Sequence, residues 1–171
     1  MIVNYKIYIY YVERFIKMSQ TTLDIKEPGL NVLPPGVERH VVNAGGLTGL
    51  QIFPDDEIEI INEEGNQICE IICFDKDGKS ELGILNQKEN CKKSFIKELL
   101  KGKDESSLIT NLQLKKRNLD INKSKSSILF DEQTPSGEKI KIKSKDKCYV
   151  IFAAPQNLSL IHISEPTRPD V

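Results

Sequence analysis

Histidine is scarce: the 171 residues contain two, His40 and His162. A zinc centre or a Cys–His catalytic pair would have to gather its other ligands from distant parts of the chain. No run of 18 apolar residues occurs, so no membrane helix is expected. Neither sign of charge dominates. Lys and Arg number 24 against 25 Asp and Glu, a formal net charge of −1, which argues against a general nucleic-acid binder. No secretion signal precedes the four cysteines, so they read as reduced thiols in a cytoplasmic protein, not as a disulfide framework. Internal repeats, low-complexity tracts, G-x-S-x-G and H-E-x-x-H are all missing. What remains is 39% apolar and 29% charged, enough for one packed domain with tails.

Both ends stand apart. Leu158 to Arg168 reads Leu-Ser-Leu-Ile-His-Ile-Ser-Glu-Pro-Thr-Arg, the translation of a transposase adapter used in sequencing libraries. Residues 158–171 are therefore expected to be an artefact tail outside the fold, with the natural chain diverging near Asn157. The alternative is a short strand with a Pro-rich tail. Met1 to Lys17 holds four of the five tyrosines among residues served by A/T-rich codons. It reads as a non-native or disordered leader, with Met18 as the start. Lys6 interrupts its apolar stretch, so it is not a signal peptide. The alternative is a genuine β-strand, which Tyr and Ile suit. Residues 18–31 read as a loose lead-in and 32–157 as a single β-rich domain.

Within that domain, Pro34-Pro35-Gly36 marks a turn, followed by a strand from Val37 to Val42. Gly45-Gly46 and Gly49 bracket a turn before Leu50 to Phe53. Glu57 to Ile61 alternates like a half-buried strand, and Gln67 to Phe74 is a strong apolar one. Two short helices follow. Cys91 to Leu100 carries Phe95, Ile96, Leu99 and Leu100 at helical spacing. Ser106 to Leu119 carries Leu108, Ile109 and Leu112 on one side, capped by Asp104 or Ser106. Strands resume at Ser127 to Phe130, Glu138 to Lys143 and Lys147 to Ala154. This order predicts an α+β fold: a mainly antiparallel β barrel or sandwich with two short helices inserted in the middle.

Few side chains suggest chemistry. Cys69 and Cys73 are four residues apart on a strand, roughly 13 Å, too far to share a metal or a disulfide, and read as buried apolar residues. Cys91 and Cys148 are isolated in sequence. Asp75-Lys76-Asp77-Gly78 fails as a calcium loop, because Ser80 and Asn86 stand at its sixth and twelfth positions; it reads as a hairpin turn. Asp55, Asp56, Glu57 and Glu59 form an acidic cluster that reads as a solvated strand edge. Lys139, Lys141, Lys143, Lys145 and Lys147 alternate along one strand face, where lysines blunt an exposed sheet edge.

Three stretches resemble the urea-carboxylase-associated family. The run from Asp56 through Gly65-Asn66-Gln67-Ile68-Cys69-Glu70 is similar to the family's Gly-x-Gln-x-x-Asp, with Glu70 in place of Asp. Pro34-Pro35-Gly36 precedes the first strand. Gly137 to Gln156 resembles the closing strand, where Ala154 stands at the family's cysteine. The family's central His, Cys and Asn motifs have no counterpart between Cys91 and Ser126. The resemblance implies a non-catalytic domain with no catalytic or metal-binding residues and no cofactor of its own. It further implies a place ahead of a folate-dependent aminomethyltransferase module, with tetrahydrofolate belonging to that parent and the downstream domains as partners. A small-molecule site would be lined by Gly65, Gln67 and Glu70, since Gln orients polar ligands and Glu accepts their donors. The alternative is a stand-alone small-molecule or metal-binding domain.

Overall fold

Ile58, Ile60 and Asn62 alternate with Glu57, Glu59 and Ile61, and only the first set is buried, as expected of a strand with one face on a core. The computed structural model describes residues 4–10 and 37–156. Among them are eight strands: β1 (Asn4–Tyr10), β2 (Val37–Asn43), β3 (Gly46–Ile52), β4 (Glu57–Asn62), β5 (Cys69–Asp75), β6 (Ser126–Phe130), β7 (Glu138–Lys143) and β8 (Cys148–Ala154). Between β5 and β6 lie helices α1 (Phe95–Leu99) and α2 (Glu105–Lys116), with 3₁₀ turns at Leu82–Leu85 and Ile121–Lys123. The lead-in at 18–31, the turn at Pro34-Pro35-Gly36 and the tail at 158–171 lie outside the described residues.

The strands form two antiparallel four-stranded sheets, ordered β2-β1-β4-β7 and β3-β8-β5-β6. Side chains from both sheets meet in one core, with Ile7, Val42, Ile58, Ile60 and Ile142 facing Ile52, Ile71, Phe130, Val150 and Phe152. The architecture is thus a sandwich and not a closed barrel. A second cluster lies on the outer face of the β3-β8-β5-β6 sheet. There Leu47, Ile72, Phe74, Ile151 and Ala153 pack against Ile96, Leu100 and Leu114 of the helical segment. Strands β5 and β8 are covered on both faces, which is why they read as continuous apolar runs. No helix among the described residues is long and apolar enough to cross a membrane.

Four details differ from the sequence expectation. First, Asn4–Tyr10, expected to lie in a leader outside the domain, forms an inner strand between β2 and β4, and its Ile7 is fully buried. The β-branched and aromatic bias that suggested A/T-rich codons is also what a strand requires. Second, Gly46 and Gly49 lie within β3, not in a turn. A Cβ at Gly49 would stand 1.9 Å from the Tyr149 hydroxyl, so this strand position has room for glycine alone.

Third, the acidic cluster is not on a sheet edge. Glu57 and Glu59 lie on β4, opposite Lys143 and Lys141 of the edge strand β7. Lys141 pairs with Glu57 at 3.2 Å and Lys143 with Asp55 at 3.0 Å, so the two charge runs offset each other across the strands. Asp56 is buried and accepts the Phe53 amide at 2.8 Å. Fourth, Leu108, Ile109 and Leu112 share a face of α2, but it is the solvent face, where they are 57%, 48% and 54% exposed. The buried residues of α2 are Ser107, Thr110 and Leu114.

Candidate functional site

The stretch from Asn62 to Glu70 is built by a reversal that only certain residues permit. Asn62 ends β4 fully buried and accepts the Gly65 amide at 3.0 Å through Oδ1. Gly65 and Asn66 both adopt left-handed backbone, with φ of 76° and 52°. A Cβ on Gly65 would stand 2.5 Å from the backbone nitrogen of Ser136. The loop is laced to the β6–β7 connection: Asn66 N donates to Thr134 O at 2.7 Å, Gly137 N to Asn62 O at 2.7 Å, and the Ser136 hydroxyl to Glu63 O.

Gln67 is 1% exposed. Its amide nitrogen donates to the carbonyl of Pro155, just past β8, and to Ile68 O at 3.4 Å. Glu70 is on β5, fully buried. One carboxyl oxygen accepts the Ile96 amide in the first turn of α1 at 2.8 Å, beside the Ser94 cap. The other, Oε1, has no hydrogen-bond partner. The three residues therefore face three surroundings: the 134–137 loop, the end of β8, and the start of α1.

The surface hollows are lined by other residues. One of about 250 Å³ lies between β3 and α2, bordered by Leu47, Gly49, Ile109 and Gln113. Another, of about 200 Å³, is lined by Gln51, Asp75, Lys76, Arg117, Lys147 and Tyr149. Here Arg117 stacks on the Tyr149 ring, 4.5 Å from its centroid, and the Tyr149 hydroxyl donates to Gln113 Oε1. Burial pushes the Tyr149 phenol up to about 12, with Arg117 opposing the shift. Three cations and one carboxylate border this hollow, and the Lys147 ammonium sits over the Phe53 ring, 5.3 Å from its centroid. The residues of the hollow come from β3, β5 and the turn after it, β8, the end of α2 and the β7–β8 connection, so no local pattern in the sequence announces it.

Three of the four cysteines behave as core residues, and Cys91 is partly exposed. Cys69, Cys73 and Cys148 are buried between the sheets. Hydrogen bonding to Cys148 and burial push the Cys73 thiol up, and burial beside Glu70 does the same to Cys69, so neither is poised as a nucleophile. His40 lies on β2 with Nε2 3.2 Å from Glu38 Oε2, a surface contact. Among the described residues, no group of three or more His, Cys, Asp or Glu could hold a metal ion.

No protein-family model matches the chain, and no solved structure does. It is similar to the trimethylamine-oxide aldolase of Ruegeria pomeroyi, with 31% identity over 145 residues. That alignment takes in 85% of this chain and 18% of the aldolase, so the chain spans less than a fifth of the relative's length.

Proposed function

We propose that this chain is a non-catalytic domain of a larger cytoplasmic enzyme related to trimethylamine-oxide aldolase. The parent would carry a folate-dependent aminomethyltransferase-like module, with tetrahydrofolate as its cofactor and its other domains as partners of this one. One observation carries the non-catalytic reading. The residues that look most functional in sequence are engaged by the fold: Gly65 under Ser136, Gln67 on the Pro155 carbonyl, Glu70 on the Ile96 amide. The aldolase match supports the place in a larger enzyme, since it relates the chain to a fraction of one, and the folate-dependent module rests on the family resemblance alone. The test is to incubate the purified chain with trimethylamine oxide, with and without tetrahydrofolate, and follow the substrate by NMR. No consumption is expected. Turnover by the chain alone would overturn the reading.

A second reading, a small-molecule-binding domain, draws on the hollow around Lys76, Arg117 and Lys147. Titration calorimetry with phosphate and small carboxylates tests it. Heat abolished by Arg117→Ala supports it, and silence across the panel removes it.

A further inference from the structure

The outer face of α2 has an order that its burial pattern does not explain. Along the solvent side the helix presents Glu105, then Leu108 and Ile109, then Leu112, then Lys115 and Lys116, each about one helical turn from the next. The stripe is acidic at its start, apolar in the middle and basic at its end. Leu108, Ile109 and Leu112 are about half exposed, and three of the four large apolar residues exposed among the described residues lie here. The fourth, Val41, lines the hollow next to Glu105 and Ser106, so the apolar surface extends beyond the helix. None of Glu105, Lys115 and Lys116 is in an ion pair among the described residues.

We propose that this face is a two-fold interface between two copies of the chain, with their α2 helices packed antiparallel. The charge order selects this occupant. In an antiparallel pair, the register that lays Leu108 and Ile109 of one copy over Leu112 of the other also sets Glu105 opposite Lys115 and Lys116. One register satisfies both sets, and the two-fold axis applies it twice, as an isologous interface requires. Antiparallel packing also brings the positive end of each helix dipole to the negative end of the other. The hollow between α2 and β3, bordered by Ile109, leaves room beside the helix for a partner side chain. One 12-residue helix with its flanks is small for an interface, so the dimer is a weak one, forming at micromolar concentration or above. The inference does not depend on the proposed function.

Sedimentation velocity on the purified chain from about 5 to 200 μM tests it, a range suited to weak association. The expected result is a concentration-dependent monomer–dimer equilibrium. Leu112→Glu should weaken it at least tenfold while leaving the circular dichroism and Tm unchanged, because that side chain is solvent-facing. Glu105→Lys should also weaken it, and Glu105→Lys combined with Lys115→Glu and Lys116→Glu should restore it. A chain that stays monomeric at 200 μM would overturn the proposal. So would a dimer indifferent to Leu112→Glu, or one that the triple charge exchange fails to rescue.

Discussion

Glu70 occupies a position on β5 where both neighbours and the next residue on its own face are apolar, and the strand buries it completely. Its carboxyl group satisfies the Ile96 amide, so truncation removes packing and leaves a buried donor unpaired. Glu70→Ala should cost about 2–4 kcal/mol in urea unfolding, with an unchanged denaturant slope. Glu70→Gln retains an acceptor and should cost less. If Glu70 were instead a ligand group held at little structural cost, the Ala variant would keep its midpoint. Gly65 gives a second test of the same stretch. Gly65→Ala forces a left-handed conformation on a side chain that meets Ser136 at 2.5 Å, and should cost about 1–3 kcal/mol. The sequence pattern singled out these residues as lining a small-molecule site. Their contacts within the fold were not legible, because their partners, Ser136, Pro155 and Ile96, lie 26 to 88 positions away in sequence.

Helix α2 shows where reading by periodicity fails. Leu108, Ile109 and Leu112 have the spacing of a core stripe, yet the helix turns Ser107 and Thr110 inward. The reason lies in its neighbour. On its outer face, strand β3 offers Leu47, Gly49 and Gln51, and at Gly49 the surface is shallow, so a helix can approach closely there only with small side chains. Ser107 donates to Leu99 O at 2.8 Å, Asn111 to Leu100 O at 2.7 Å, and Leu47 N to the Ser106 hydroxyl at 3.4 Å, so polar contacts fix the orientation. The cap was legible: Asp104 accepts the Ser107 amide at 3.0 Å. Hydrogen bonds from Ser106 and Ser107 hold its carboxyl down at about 2, against an ordinary value of 3.8. A depressed folded-state pKa gives stability that is complete above the unfolded value and is lost as pH falls toward the folded one. Wild type should therefore exceed Asp104→Asn in Tm above pH 4, and the gap should close between pH 4 and pH 2. Because Asn also caps helices well, the gap at neutral pH should be small, below about 1 kcal/mol. A gap independent of pH would mean that the carboxylate charge does not matter at this cap.

At the scale of the molecule, the sandwich is asymmetric. One sheet is covered by helices on its outer face, and on the other Lys141 of β7 pairs with Glu57 and Glu59 of β4 while Lys143 pairs with Asp55 just before β4. Six of the seven strands within residues 37–156 were legible in type and approximate bounds, because alternation and turn residues are local signals. The start of β3 at Gly46 was not, since its glycines answer to Tyr149 across the sheet. The place of β1 was not legible either, because a strand's pairing partners leave no mark on its own sequence. Yet β1 is the element on which the first sheet depends. It is the sheet neighbour of β2, and it supplies one of the two neighbours of β4. Ile7, opposite His40 on one side and Ile60 on the other, is a fully buried member of the inter-sheet core. A chain begun at Met18 would lose that core residue, worth about 2–4 kcal/mol on deletion, and two ladders of backbone hydrogen bonds. Against a total stability of about 5–15 kcal/mol, the expected outcome is a protein that is unfolded or aggregated at 25 °C. Side-by-side thermal melts of chains begun at Met1 and at Met18 decide it. Equal Tm values with equal unfolding enthalpies would mean that the first seventeen residues are dispensable and that β2 finds another edge. A lost transition in the shorter chain would make β1 an integral strand of the sandwich.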